Sequence, residues 1–425
     1  MNAFLPADIL MPKTDHMEKW AVIACDQFTS DQAYWDRVRK NAEGAVSTIN
    51  LILPEAELGT EKEAEHTAEI NATMKKYMED GVFTVYPNSY VYVERTLENG
   101  SIREGLVGMV DLDAYDYTPG ATSAIRATER TVPERIPPRQ RVRRDAPIEL
   151  PHVLMLCDDH DKKLIEPIAA KKDSLKKIYD FDLMEDGGHI TGWLVEGKDV
   201  EDFNKALTEY SATVGEKYTG LKGTPMVFAV GDGNHSLATA KKYYEQLKAT
   251  LPAKEAAVHP ARYAMVELVN IHDDALIFEP VHRVLTNVHP ADVLADWSAY
   301  CAAHGMALSF VPPDVDAQEL RVVSASGEQT AFIAHPDGAL PVATLQRYLD
   351  DFLRRHPEAT IDYIHGDEVL RRLSRADGAM GFLLPALNKA DFFPAIEQLG
   401  ILPRKTFSMG HAHDKRFYIE CRKIL

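Results

Sequence analysis

The chain has 425 residues, 45% of them hydrophobic and 26% charged, with a formal net charge of −18. That length exceeds one average core and predicts two or three domains, each large enough to fold without disulfide or metal staples. The acidic balance argues against nucleic acid or an anionic membrane as partner, because both repel such a surface, yet it leaves room for a small-molecule anion in a local cationic pocket.

Four cysteines, Cys25, Cys157, Cys301 and Cys421, are widely spaced without a CxxC pair, and the opening MNAFLPADILMPK lacks the apolar core of a signal peptide. A cytoplasmic location with structural thiols is the expectation. No apolar run approaches the roughly 20 residues that span a bilayer.

In chain order, WAVIACD reads as a buried strand, SDQAYWDRVRKN as a helix capped by Ser30, and SYVYVERTL as a strand with period-two alternation. TERTVPERIPPRQ carries three prolines in six residues, which remove donors and fix φ, so it reads as an ordered arm or loop. It belongs to the stretch Arg126 to Arg144, an arginine concentration in an otherwise acidic chain. Then HVLMLCDD reads as a strand, DKKLIEPIAAKKDSLKKIYDF as helical stretches, HITGWLVE as a strand and DVEDFNKALTEYSATV as a helix. RYAMVELVNI and LIFEPVHRVL follow, and the last third alternates in the same style. Alternating strands and helices predict an α/β fold with mixed sheets. The expected divisions are an N-terminal region (1–120), the arm (121–150), a central region (151–290) and a C-terminal region (291–425).

The sharpest feature is FAVGDGNHSLATAKKYYEQL, from Phe228 to Leu247, where an apolar strand breaks into a glycine-rich polar corner and resumes as a helix with an apolar face of Leu237, Ala240, Tyr244 and Leu247. Asn234 or Ser236 is the expected cap, and the first-turn N–H groups form a ready anion site. Gly231 and Gly233 allow close backbone approach to a phosphate. Asn234, His235 and Ser236 can donate to its oxygens, and Asp232 can hold Mg²⁺ or accept a proton from an attacking hydroxyl. The plainer reading is a capped strand-to-helix turn.

The corner and the stretches GLVGMVDLDAYDY, IRATERTVPERIPPR, FEPVHRVL, GFLLPAL and LPRKTFSMGHAHDKRFYIECRKI together resemble the domain-of-unknown-function family ten-fifteen, in its clostridial-type subgroup with the Gly-Asp-Gly-Asn-His-Ser form. That family carries an Asp-Gly-His-His-Arg corner, itself similar to the phosphate-binding corner of the ParB and sulfiredoxin superfamily, which includes nucleotide-dependent kinases of free serine. The resemblance implies a strand-to-helix phosphate corner, Mg²⁺ and ATP or ADP as cofactors, and a hydroxylated metabolite such as free serine as substrate. In it Asp232 matches the motif's Asp, Asn234 and His235 its two His, and Ser236 its Arg. The last is a departure that removes a bidentate phosphate clamp, so an arginine from elsewhere must substitute or the ligand differs.

Arg126 and Arg139 are candidates for that charge if the arm folds over the corner, with Arg135 beside them and Glu129 as a second carboxylate for base or metal duty. Lys405 and Ser408 in LPRKTFSMG offer further phosphate donors. His282 and Arg283 in FEPVHRVL are polar residues in a strand and need partners if buried. Asp26 ends an apolar run, a position that suits a site residue in an α/β sheet; many strands end in Asp for turn reasons alone.

Two other classes stay open. Asp158 and His160, then Asn234 and His235, then His411 and His413 are similar in order to ligand motifs of calcineurin-like metallophosphoesterases, in which two metals activate a water. That match lacks a Gly-Asp-x-x-Asp between its first two fragments. The other class is a non-catalytic module that senses a nucleotide or phosphometabolite.

Overall fold

The computed structural model describes residues 2–29, 31–61, 63–217, 223–336, 338 and 340–425. The chain divides into two compact units: one contains Met1–Ile277 and Gly410–Leu425, the other Phe278–Met409. This differs from the four consecutive regions expected, because the last 16 residues return to the first unit.

The first unit is built on a mixed sheet with main strands β1 (Phe83–Thr96), β2 (Ile102–Asp111), β3 (Ile125–Ala127), β4 (Leu154–Cys157), β5 (Lys176–Asp182), β6 (His189–Val195), β7 (Phe228–Asp232) and β8 (Tyr263–Asn270). Their order is β5-β6-β1-β2-β8-β4-β7-β3, followed by the short strand Tyr115–Asp116. Pairing is antiparallel except at β8/β4, β7/β3 and the last pair. Period-two alternation sends Tyr90 and Tyr92 to one face of β1 and Val91 and Val93 to the other, and both faces are buried. The first face is covered by α2 (Lys198–Lys217) through Phe203, Leu207 and Val214, and by α3 (Asn234–Thr250) through Leu237, Ala240 and Tyr244. Fully burying each of these larger side chains contributes about 1.5–3 kcal/mol.

Three local readings change. KKIYDF was expected within a helical stretch but is strand β5, because Tyr179 faces inward and the segment pairs with β6 as a hairpin. The proline-rich arm contains a helix, α1 (Ile136–Arg144), with Pro137 and Pro138 in its first turn, where no N–H is needed. WAVIACD yields only a two-residue strand, Val22–Ile23. Ser30, expected as a cap, lies outside the described residues; the helix Gln32–Asn41 is capped by Asp31, whose carboxylate accepts from the Tyr34 N–H.

The returning tail is stitched into the first unit. Phe417–Tyr418 pairs with Val22–Ile23, Arg422–Lys423 pairs with Ile148–Glu149, and the Leu10 N–H donates to the Cys421 carbonyl at 2.8 Å. The second unit is an antiparallel sheet in the order Ala307–Ser309, Gly327–Ala334, Ala317–Ser324, Ala379–Leu383, Phe278–Thr286, Thr360–His365. Its helices include Pro290–Ala303 and Pro341–Arg355. Among the described residues no helix is long and apolar enough to cross a membrane.

Candidate active site

The strand-to-helix corner forms as its sequence suggests, with one change of cap. Gly233 is the N-cap, at φ 80°, and no side chain caps α3. The first-turn amides of Asn234, His235 and Ser236 are therefore the helix's uncapped positive end. A Cβ at position 233 would stand 3.0 Å from the Val153 Cα in a backbone conformation that L-residues rarely adopt. Gly233→Ala is expected to cost about 1–3 kcal/mol, read as a lowered denaturation midpoint; an unchanged midpoint would show that the corner relaxes freely.

Gly231 is the extra residue of a bulge, since Val230 pairs with Met155 but Asp232 with Leu154. Bulges re-aim side chains. Here the Asp232 carboxylate accepts the Gly233 N–H through Oδ1 at 2.9 Å, and its Oδ2 lies 3.1 Å from Lys415 Nζ on the returned tail. Burial pushes this carboxyl up, but Lys415 more than offsets it and holds the group below the usual carboxylate range. Both oxygens are thus engaged, one by a cation, and these residues do not fit a magnesium ion held by Asp232 alone.

The arm does fold over the corner. The Asn234 side chain is buried, with Oδ1 accepting the Thr128 N–H and Nδ2 donating to the Thr128 hydroxyl, both at 3.2 Å. His235 Nε2 accepts the Val132 N–H at 3.1 Å. Asn234 and His235 thus hold the arm through their side chains and leave their backbone amides to face the corner. Burial, with Arg135 and Arg139 nearby, pulls the His235 imidazole down to about 4, so it is neutral at pH 7.

A sign follows for stability. Because the folded-state value lies below the unfolded one of about 6.5, the unfolded chain binds more protons between those values, and this contribution is lost as pH falls from about 6.5 to 4. Gln in place of His235 keeps an acceptor for Val132 without titrating. Chemical denaturation should show wild type losing more stability than His235→Gln over that window; parallel profiles would remove the burial account.

Arg139, on α1, is the arginine that the arm brings in. Its Nη2 pairs with Glu55 Oε1 at 3.1 Å, and it lines a cavity of about 140 Å³ together with Ser236, His152, Cys25 and Tyr418. Arg126 is placed differently from the expectation of a phosphate clamp. It is 3% exposed and donates to the carbonyls of Ser123 and Thr224, which ties β3 to its neighbouring loops. Glu129 is half-buried, one residue beyond Thr128.

Four groups that sequence reasoning did not single out complete the site. Tyr418 accepts the Cys25 N–H at 3.1 Å, and its hydroxyl lies 3.1 Å from His152 Nδ1. Burial lowers His152, while Asp26 and Asp232 pull it back up, which places Asp26 in the same electrostatic neighbourhood. Burial, reinforced by Asp26, pushes the Cys25 thiol up to about 12, so it is not a thiolate nucleophile at neutral pH. Lys415 is the fourth. His152 and Lys415 lie within stretches that the sequence did flag, HVLMLCDD and the closing tail, but nothing in a linear pattern says that they come to one site.

The candidates His282, Arg283, Lys405 and Ser408 belong to the second unit. His282 accepts the Leu384 N–H through Nδ1 at 3.1 Å and meets Asp367 at 3.0 Å through Nε2. Arg283 donates to Gln346, to the carbonyls of Val281, Arg404 and Lys405, and lies over the Tyr363 ring. Lys405 sits at φ 55°, and Ser408 pairs with Glu279 at the edge of the sheet. His282 and Arg283, buried and partnered in this way, serve the fold.

The metallophosphoesterase arrangement does not assemble. Asp158 pairs with His272 at 2.7 Å and with Lys217, the His160 ring packs on His272, and the His413 Nδ1 lies 3.2 Å from the Glu185 carbonyl. Among the described residues no group of three or more His, Cys, Asp or Glu is placed to hold a metal ion.

A family model described as "Protein of unknown function (DUF1015)" matches residues 5–352, and the chain belongs to that family. Among curated proteins none matches it. Similar solved structures include a free serine kinase in complex with AMP, at 12% identity and a TM-score of 0.37, covering 74% of this chain and 91% of that one. A conserved hypothetical protein from Pyrococcus furiosus is similar at 10% identity and a TM-score of 0.35, with 74% and 94% covered. SbnI with a C-terminal truncation, from Staphylococcus aureus, is similar at 9% identity and a TM-score of 0.36, with 72% and 83% covered.

Proposed function

We propose that the chain transfers a phosphoryl group from ATP or ADP to a small hydroxylated metabolite, with free serine the first candidate. The observation that carries this reading is the Asp232–Lys415 pair beside the uncapped start of α3, whose Ser236 lines a cavity together with Arg139. Phosphoryl transfer asks a protein for positioning and for positive charge around the equatorial oxygens, with only a weak base for the acceptor hydroxyl. The amides of residues 234–236, Arg139 and Lys415 supply the charge. Arg139 takes the place of the arginine that Ser236 lacks.

In the step, the acceptor oxygen forms its bond to phosphorus as its proton passes to Asp232 Oδ2. The bridging P–O bond breaks, and its electron pair leaves with the nucleoside di- or monophosphate. An ionised Asp232 of low basicity suits a loose transition state, in which the proton moves late. Asp26 and Glu129 are further carboxylates near the corner whose roles belong to this proposal.

The test is mass spectrometry of purified protein with ATP or ADP, with and without Mg²⁺, and a pool of hydroxylated metabolites including serine. A new phosphomonoester is the expected product. Nucleotide binding without any product would reduce the function to a nucleotide-sensing module.

A further inference from the structure

The cavity beside the corner is divided in polarity. Leu51, Leu53, Met74, Ile148 and Ile424 line it from one hydrophobic cluster, and Val142 of α1 packs against that cluster. The charged residues of the lining answer one another. Arg143 lies 2.6 Å from Glu149, which also accepts the Met265 N–H at 2.9 Å and Arg422 Nε at 2.8 Å, and Arg139 pairs with Glu55.

The polar groups with capacity to spare come from Ser236, His152 and Arg139. Ser236 and His152 are half-buried, and among the described residues neither the Ser236 hydroxyl nor His152 Nε2 has a hydrogen-bond partner. Arg139 spends one N–H on Glu55 and one on the Arg135 carbonyl at 3.0 Å, so most of its guanidinium donors remain. These three groups sit together: beyond the effect of burial, the Arg139 charge lowers both His152 and His235, the neighbour of Ser236, while Asp232 raises His152.

An occupant of this cavity therefore has one polar end and an apolar remainder. Free serine and a nucleobase carry polar groups all round, and against Leu51, Leu53 and Met74 those groups would lose water without gaining partners. A bare hydrocarbon would leave the groups at Ser236 and His152 unanswered. We infer that the phosphoryl acceptor is an alcohol with an apolar body, its carbon skeleton against these walls and its hydroxyl at Ser236, His152 and Arg139. The inference rests on the phosphoryl-transfer reading above and narrows its acceptor, placing free serine below alcohols with a hydrocarbon body; the transfer itself is as written there. Asp232 and Lys415 are not among the residues that line the cavity. The nucleotide phosphates then reach the start of α3 from their side, and the acceptor from the side of Ser236.

Isothermal titration of the full chain with inorganic phosphate, butyl phosphate, hexyl phosphate and O-phospho-L-serine tests this, the esters being the products that such acceptors would give. The variants are Val142→Trp and Leu58→Phe. Both positions line the cavity and are only half-buried, so a larger ring fills space there without repacking a core. In wild type, hexyl phosphate is expected to bind roughly tenfold more tightly than butyl phosphate, the gain for two buried methylenes, and O-phospho-L-serine no more tightly than inorganic phosphate. Val142→Trp should remove the hexyl advantage and leave inorganic phosphate binding unchanged, which also reports an intact corner. Equal affinity for the two alkyl esters in wild type, a preference for O-phospho-L-serine over hexyl phosphate, or a hexyl advantage that survives both substitutions would overturn the apolar acceptor while leaving the phosphate corner standing. Failure of inorganic phosphate and of every ester to bind wild type would overturn the phosphate reading and the acceptor with it.

Discussion

Asp232→Asn is expected to lower phosphoryl transfer by about 10²- to 10⁴-fold, the range for losing a positioned general base, while nucleotide affinity changes by no more than a few-fold. The asymmetry follows from geometry. Asn keeps an acceptor for the Gly233 N–H, so the bulge and the start of α3 persist, but it cannot take the acceptor's proton and does not neutralise Lys415 at 3.1 Å. Lys415→Met should show no such split. It removes positive charge that faces the phosphates, weakening nucleotide binding as well as turnover, and it leaves Asp232 in a half-buried setting without its main counter-charge. Steady-state kinetics beside direct nucleotide titration separate the two. Equal loss of binding in both variants would make the pair a structural clasp on the tail.

The second large effect concerns what holds the tail in place. Glu267, 2% exposed, lies 3.0 Å from Arg416 and 3.7 Å from Arg103, and Arg416 also pairs with Glu420 at 2.7 Å, which in turn accepts the Tyr179 hydroxyl at 2.6 Å. Removing one partner of a buried pair leaves the other charge uncompensated. Glu267→Ala is therefore expected to destabilise the first unit by about 3–5 kcal/mol, measured as a shift in the denaturation midpoint. Arg416 directly follows Lys415, so loosening this network should also weaken the corner's hold on phosphate. A destabilisation under about 1 kcal/mol would mean that the network is hydrated and worth no more than a surface pair. Position 105 shows how tightly Glu267 is fitted: a Cβ there would meet its carboxylate at 2.5 Å, so any larger residue would displace the Glu267 side chain.

How far the site was legible depends on the range of the signal. The corner could be read because strand, bulge and helix are consecutive, and glycines at 231 and 233 are local requirements of backbone geometry. The arm could be located by its prolines but not resolved, since proline marks a loop and a helix's first turn alike; Ile136–Arg144 became a helix because Pro137 and Pro138 fall where α1 has no donors to lose. Arg126 and Arg139 looked equivalent in sequence. Burial separates them, committing Arg126 to the carbonyls of Ser123 and Thr224 and bringing Arg139 to the cavity. Lys405, Ser408, His282 and Arg283 went to the second unit, a division that no composition shift announces.

The sequence by itself determined the mixed α/β class, the glycine-dependent corner and the family, because these rest on short-range patterns of burial, backbone freedom and residue order. Only the tertiary structure decided that Lys415 meets Asp232, that Tyr418 reaches His152 and that Glu55 pairs with Arg139. Those contacts join residues up to about 270 positions apart, and the two made by Lys415 and Tyr418 exist because the tail pairs with Val22–Ile23 and with Ile148–Glu149. Strand pairing between distant segments is chosen by the global packing of the sheet and its two buried faces, which no local pattern encodes.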